Sequence, residues 1–119
     1  MAELEPVVLP ASVAASHLRA CAEALAAAPG VELAELAAVV GHVVSGQRNL
    51  AEALEALARR VRAGCADPAL AAVPTADLAA LAEVLQAAAT AFGCSAQALT
   101  ESEPLVETIA EMAGGHTRL

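Results

Sequence analysis

The sequence predicts an all-α fold: an up-down helical bundle of three long helices plus a short C-terminal helix, built on a long antiparallel hairpin. More than a quarter of the 119 residues are alanine, the best helix former, and Phe92 is the only aromatic residue, where strands would favour many. Residues 33–61 and 78–113 carry apolar or small side chains at alternating steps of three and four. This spacing is typical of a helix that faces a neighbouring helix along its whole length, as in a coiled coil.

The two periodic stretches identify the residues that we expect between the two long helices. Steps of three and four average about 3.5 residues, which holds one stripe against the partner helix. In residues 33–61 the expected stripe is Leu33, Leu36, Val40, Val43, Gln47, Leu50, Leu54, Leu57 and Val61. In residues 78–113 it is Leu78, Leu81, Leu85, Ala88, Phe92, Ser95, Leu99, Ser102, Val106, Ile109 and Ala113.

Prolines and glycines mark the first elements of the single predicted domain, residues 1–119. Two prolines favour an extended leader over residues 1–10 rather than a helix. A first helix is predicted over residues 11–29, and the Pro29-Gly30 pair ends it.

Charges at both ends predict the second helix over residues 31–63. Glu32 and Glu35 lie at its positive end, and three arginines lie near its negative end, so both ends of the helix dipole are complemented. We interpret the arginines as a feature of the helix end rather than as a binding patch.

The third helix is predicted over residues 75–101, after a connection at residues 64–74. Pro104 would remove a helical hydrogen bond and clash with the preceding turn, at a cost of about 3 kcal/mol. A break is therefore expected near residue 102, with a separate short helix over residues 103–113. The tail, residues 114–119, is expected to be disordered.

Composition and charge limit the function classes. Fourteen acidic residues against six basic ones give a net charge of −8, which argues against a nucleic-acid partner. No stretch reaches the roughly 20 uncharged apolar residues of a membrane span, so none is expected. The amino-terminal residues are acidic where a secretory signal is basic, which favours a cytoplasmic protein and leaves leaderless export open.

Catalytic and metal-binding motifs are missing from the sequence. No phosphate loop, nucleophile elbow or paired-histidine zinc motif occurs, so we expect a protein that is not an enzyme and has no cofactor. The weak metal candidates are His17 and Cys21, one helical turn apart. Two ligands do not make a closed zinc site, and Cys21 lies at a core-type position, so no metal is expected.

Gln47 interrupts the aliphatic stripe of the second helix. A buried amide can fix the register of packed helices or the choice of partner. The alternative, which we favour, is that the amide reaches a neighbouring backbone group or the surface beside Arg48 and Asn49.

Helix lengths predict a surface for a partner. The first helix spans about half the length of the second, so it covers only the half of the hairpin away from the loop. The other half is left as a two-helix layer with exposed aliphatic side chains, which is typical of an interface. The expected partner-binding residues are Leu50, Leu54, Leu57, Val61, Leu78, Leu81 and Leu85.

The leading hypothesis from these observations is a non-enzymatic protein-protein interaction module. It would act as a homo-oligomer, with a homodimer expected, or as a subunit with a heterologous helical partner. One alternative is a bundle that binds a small molecule or metal between Val40, Val43, Phe92 and Leu99, tuned by His17, His42 or Cys94. Another is a regulatory subunit or antitoxin-like partner, without direct contact to DNA.

A narrower alternative is a resemblance of size and shape. The chain is similar to the small WxG-type helical-hairpin proteins exported by type VII secretion, which are acidic, alanine-rich, signal-less and dimeric. It contains no tryptophan and no tyrosine, so both the WxG turn and the carboxy-terminal Tyr-xxx-Asp/Glu export signal are missing. No functional residue is carried over from that family.

Overall fold

A computed structural model describes residues 9–119 of the chain, and this part is all-helical. Helix α1 spans Pro10–Ala26, α2 spans Leu33–Gly64 and α3 spans Thr75–Ala113, with a short 3₁₀ helix at Pro68–Leu70 between α2 and α3. The predicted extended leader lies, up to residue 8, outside the described residues.

Within the described residues the chain divides into two compact units, one that ends at Val31 and one that spans Glu32–Leu119. The described part of the first unit is α1 and the turn after it. Pro10 occupies the start of α1, where its missing N–H costs nothing. No residue of α1 is buried.

The second unit consists of α2 and α3, which pack against each other. Residue numbers of the partners fall along the later part of the chain as those of α2 rise: Ala34 bonds to Gly115 after α3, Gln47 to Ser95 in α3, and Gly64 lies beside Leu70 before α3. The connection after α2 is ordered locally, because the Asp67 carboxylate accepts a hydrogen bond from the N–H of Ala69 at 2.9 Å.

Helix α3 is continuous through Pro104, and the prediction of a break near residue 102 with a separate fourth helix is wrong. Side-chain hydroxyls bond to carbonyls of the turns around the proline: Thr100 to Ala96 at 2.9 Å, Ser102 to Leu99 at 2.6 Å and Thr108 to Pro104 at 2.9 Å. Half-buried residues of α3 also lie on both sides of the proline. Packing against α2 therefore outweighs the local cost of proline in a helix.

Alanines form the close contact between α2 and α3. We call the residues Ala58, Ala82, Ala89 and Ala96 the alanine seam, and each exposes at most 1% of its surface. Leu33 and Val44 of α2 are the only other buried residues in the described part of the chain. Small side chains let the axes of two helices approach each other, so the rotation of both helices places alanine rather than leucine between them.

Because of this rotation, about half of the residues predicted to lie between the helices are replaced there by their neighbours. Alternate positions lie one residue later than expected, so Ala58 is buried where Leu57 was predicted, and Ala82 where Leu81 was predicted. The positions shared by both patterns, such as Leu54 and Leu85, are half-buried between the helices.

The tail after α3 is bound to the start of α2, and the prediction of disorder there is wrong. The N–H groups of Leu33 and Ala34 donate to the carbonyls of Thr117 at 2.9 Å and Gly115 at 3.0 Å. The first amides of a helix lack partners within the helix, and no side chain caps α2, so the tail carbonyls take that place.

Candidate functional site

A second stripe of apolar and small residues runs along α3 beside the alanine seam; eight of its ten members are exposed, and Ala88 and Ser102 are half-buried. We call it the exposed stripe; its members follow steps of three and four and include no charged residue: Leu81, Val84, Ala88, Ala91, Ser95, Ala98, Ser102, Leu105, Ile109 and Met112. Its five large side chains expose between 49% and 85% of their surface. A soluble monomer rarely exposes a continuous apolar surface of this kind.

Residue size varies along the exposed stripe in an ordered way. Large apolar side chains lie at its two ends, and only alanine and serine occupy the five middle positions, from Ala88 to Ser102. At 1.5 Å per residue the stripe is about 47 Å long. It therefore has a flat centre that a second helix backbone could approach closely, with larger side chains at each end.

The flank of α2 that carries Leu57 lies on the same side of the helix pair as the exposed stripe. Arg48 comes directly after Gln47, and Thr100 comes directly after Leu99; both preceding residues lie between the helices. The Arg48 Nη2 atom lies 3.4 Å from Thr100 Oγ1, so residues that directly follow the contact positions of α2 and α3 meet on one side of the helix pair. Leu57 and Leu81 come directly before the buried residues Ala58 and Ala82. Because a helix turns about 100° per residue, residues that directly precede the contact positions lie together on the opposite side of the pair. Leu57 exposes 43% of its surface there.

The charge on α3 has one sign. It carries six acidic residues and no lysine, arginine or histidine over Thr75–Ala113. The arginines near the end of α2, at positions 59, 60 and 62, are exposed. The one histidine-carboxylate contact in the described residues joins His116 to Glu32 at 3.6 Å, beyond the carboxyl end of α3.

Gln47 and Ser95 form a polar contact where the seam meets the exposed stripe. The Gln47 Nε2 atom donates to Ser95 Oγ at 2.9 Å, while Gln47 Oε1 is buried without a hydrogen-bond partner. A buried acceptor without a partner costs roughly 1–3 kcal/mol. The amide thus reaches a side chain across the pair, rather than a neighbouring backbone group.

The predicted partner-binding residues are placed in two environments. Leu57 and Leu81 expose 43% and 49% of their surface, on the same side of the pair. The others are half-buried between α2 and α3: Leu50, Leu54, Val61, Leu78 and Leu85.

The residues considered for a metal or small molecule are dispersed. His17 and Cys21 are exposed on α1, and His42 and Cys94 are exposed on α2 and α3. Within residues 9–119, no group of three or more His, Cys, Asp or Glu side chains is placed to hold a metal ion. The four apolar residues expected around a ligand are half-buried: Val40, Val43, Phe92 and Leu99.

The expectation that no segment could span a membrane is wrong. Within the described chain, α3 is long and apolar enough to cross a bilayer, judged by length and composition. Only 11% of its most apolar stretch is buried, so packing inside the protein does not account for that composition. No family model, no curated protein and no solved structure matches this chain.

The sequence pattern missed most of the exposed stripe. It placed Leu81 and Ile109 against α2 and left Val84, Leu105 and Met112 without a role. The exposed stripe has its own spacing of three and four residues, and alternate positions lie one residue before those of the predicted stripe. Alanines at 82, 89 and 96, seven residues apart, mark which of the two periods takes the close contact.

Proposed function

We propose that the protein is a non-enzymatic protein-protein interaction module, which works as a homo-oligomer or as a subunit of a larger complex. In this proposal α2 and α3 form an antiparallel hairpin whose exposed stripe binds a helix. The observation that carries the proposal is the exposure of five large aliphatic side chains along one uncharged stripe of α3.

The small core of the α2-α3 unit supports this proposal. No side chain larger than alanine lies in the seam at 1% exposure or less, while larger aliphatic side chains face solvent. Burying apolar surface stabilises a fold by about 25 cal/mol per Å². A partner on the exposed stripe would supply burial that the two helices do not supply to each other.

The distribution of residue size favours a helix over lipid as the occupant. A lipid-facing surface is apolar through its middle, where the acyl chains lie, but the middle of the exposed stripe is alanine and serine. Small residues are what a closely packed helix requires at a contact.

The side of the pair that carries both Leu57 and the exposed stripe suggests how a partner would bind. A helix, or a pair of helices, laid over that side would touch α2 and α3 together and complete a four-helix layer. The acidic residues of α3 would then favour arginine or lysine on the edges of the partner helix.

Solution mass measured by light scattering tests the proposal. We would compare the wild-type chain with the triple variant Leu81→Gln, Leu105→Gln, Ile109→Gln across a tenfold dilution series. Glutamine keeps helix propensity and removes apolar surface. We expect the wild type to form an assembly that the triple variant loses, with the helix content of both chains equal by circular dichroism.

A matched triple variant keeps the number of substitutions and the introduced glutamine but moves them off the exposed stripe. Ala76→Gln, Ala79→Gln and Thr90→Gln all change exposed residues of α3. This control should assemble as the wild type does. A wild-type chain that is monomeric throughout and floats with neutral lipid vesicles would contradict the proposal. A monomer that stays away from vesicles would contradict the homo-oligomer and leave only the subunit of a larger complex to be tested.

A further inference from the structure

The segment after α3 crosses to the start of α2 and makes backbone hydrogen bonds there. Besides the two backbone hydrogen bonds from Leu33 and Ala34, residues 32 and 118 form an isolated antiparallel bridge. The His116 Nδ1 atom lies 3.6 Å from Glu32 Oε2. Every one of these contacts joins residues 114–118 to the first turn of α2 or the residue before it.

The backbone of this segment is shaped for the crossing. Gly114 has a φ of 91°, a conformation that side-chain-bearing residues rarely adopt. A Cβ atom on Gly115 would lie 3.3 Å from the Ala34 Cβ atom, so glycine permits the close approach. Thr117 closes the turn, because its N–H donates to the Gly114 carbonyl at 3.1 Å and its hydroxyl to the Ala113 carbonyl at 2.8 Å.

Little apolar surface holds the segment down. Leu119 exposes 72% of its surface, and the side chain of His116 is almost fully exposed. Segments with few buried apolar contacts and exposed hydrogen bonds open locally at a fraction of the global free energy of unfolding.

We propose that residues 114–118 form a latch that opens and closes on the start of α2 while the α2-α3 seam stays intact. Closed, the latch supplies carbonyl partners for the amides of Leu33 and Ala34. Open, it leaves those amides without acceptors, because Glu32 makes no side-chain cap of its own.

Amide hydrogen exchange on the full chain tests the latch. Gly114→Val places a β-branched residue at positive φ, so it should open the latch without touching the seam. We expect the amides of Leu33 and Ala34 to exchange about tenfold faster than in the wild type, while those of Val44 to Ala58 change less than about twofold. Thr117→Ala, which removes only the hydroxyl contact, should give a smaller change in the same direction.

Gly93→Val is the matched control, because a Cβ at Gly93 meets nothing within 4 Å and its backbone is helical. The control should leave the exchange of Leu33 and Ala34 at the wild-type rate. Two results would overturn the proposal. One is equal exchange at Leu33 and Ala34 in the Gly114 and Gly93 variants. The other is a uniform rise along α2 and α3 in Gly114→Val, which would make the segment part of the global fold.

Discussion

The alanine seam and the exposed stripe of α3 differ in side-chain size and in burial. The alanine seam has small side chains that are buried against α2, whereas the exposed stripe has large side chains at its ends that are not covered. Both follow the same steps of three and four, so periodicity alone does not distinguish them. Side-chain volume does, because the closest approach of two helices selects alanine.

The largest expected effect comes from a substitution in the alanine seam. Ala89→Leu inserts three heavy atoms into a contact where alanine exposes 1% of its surface. Overpacking of this kind costs about 1–3 kcal/mol, and we expect the upper end because both helix backbones are close. Denaturant unfolding should show the loss.

The control for this prediction is Ala87→Leu, two residues away and exposed. Leucine and alanine have similar helix propensities, so its free energy of unfolding should stay within about 0.5 kcal/mol of the wild type. Equal destabilisation by both variants would mean that residue 89 is not at the seam.

Pro104→Ala tests whether both stripes continue along one helix. Proline in a helix interior costs up to about 3 kcal/mol relative to alanine, and its restriction of the unfolded chain offsets part of that cost. We expect the variant to gain about 2 kcal/mol in the free energy of unfolding, measured by thermal circular dichroism. No gain would indicate that α3 is broken near residue 102 in solution, as the sequence first suggested.

A smaller effect is expected at the polar contact between the two stripes. Gln47→Leu removes a buried carbonyl oxygen that has no partner, while Ser95 is exposed and can bond to water instead. We expect a gain of about 1 kcal/mol in stability by denaturant unfolding. A loss of similar size would show that the hydrogen bond to Ser95 outweighs the unpaired oxygen.

The smallest effect on stability should come from the exposed stripe itself. Ala91→Leu enlarges its small centre at an exposed position, so the free energy of unfolding should change by less than about 0.5 kcal/mol. Assembly measured by light scattering should nevertheless weaken, because the partner helix could no longer approach closely. A chain that assembles more tightly would place the partner at the ends of the stripe only.

Much of the fold could be predicted from local chemistry. The all-helical class followed from alanine content and periodicity, and the bounds of α2 could be placed within two residues because charges complement both helix ends. The continuity of α3 could not be predicted, because the cost of Pro104 is local while the packing that offsets it comes from distant residues. The tail was missed for the same reason, since its partners at Leu33 and Ala34 are about 80 residues away in sequence.

The candidate surface was only partly predictable. Leu57 and Leu81 were selected because the loop end of a hairpin should lack cover, and both are exposed. The stripe beyond them required knowing how far each helix is rotated about its axis, and a difference of one residue changes which side chains face outward.

The regular spacing of the alanine seam has a consequence for folding kinetics. Ala82, Ala89 and Ala96 repeat every seven residues, so sliding α3 by two turns past α2 would return two of the three alanines to places that alanine fills in the native pairing. The third place would receive Thr75 or Glu103, so only the ends of the seam oppose such a slipped pairing by side-chain size. The hydrogen bonds of Gln47 and Arg48 and the ten-residue connection between the helices also oppose the slipped pairing. Together they fix the register of α3 on α2, which the repeated alanines leave weakly defined.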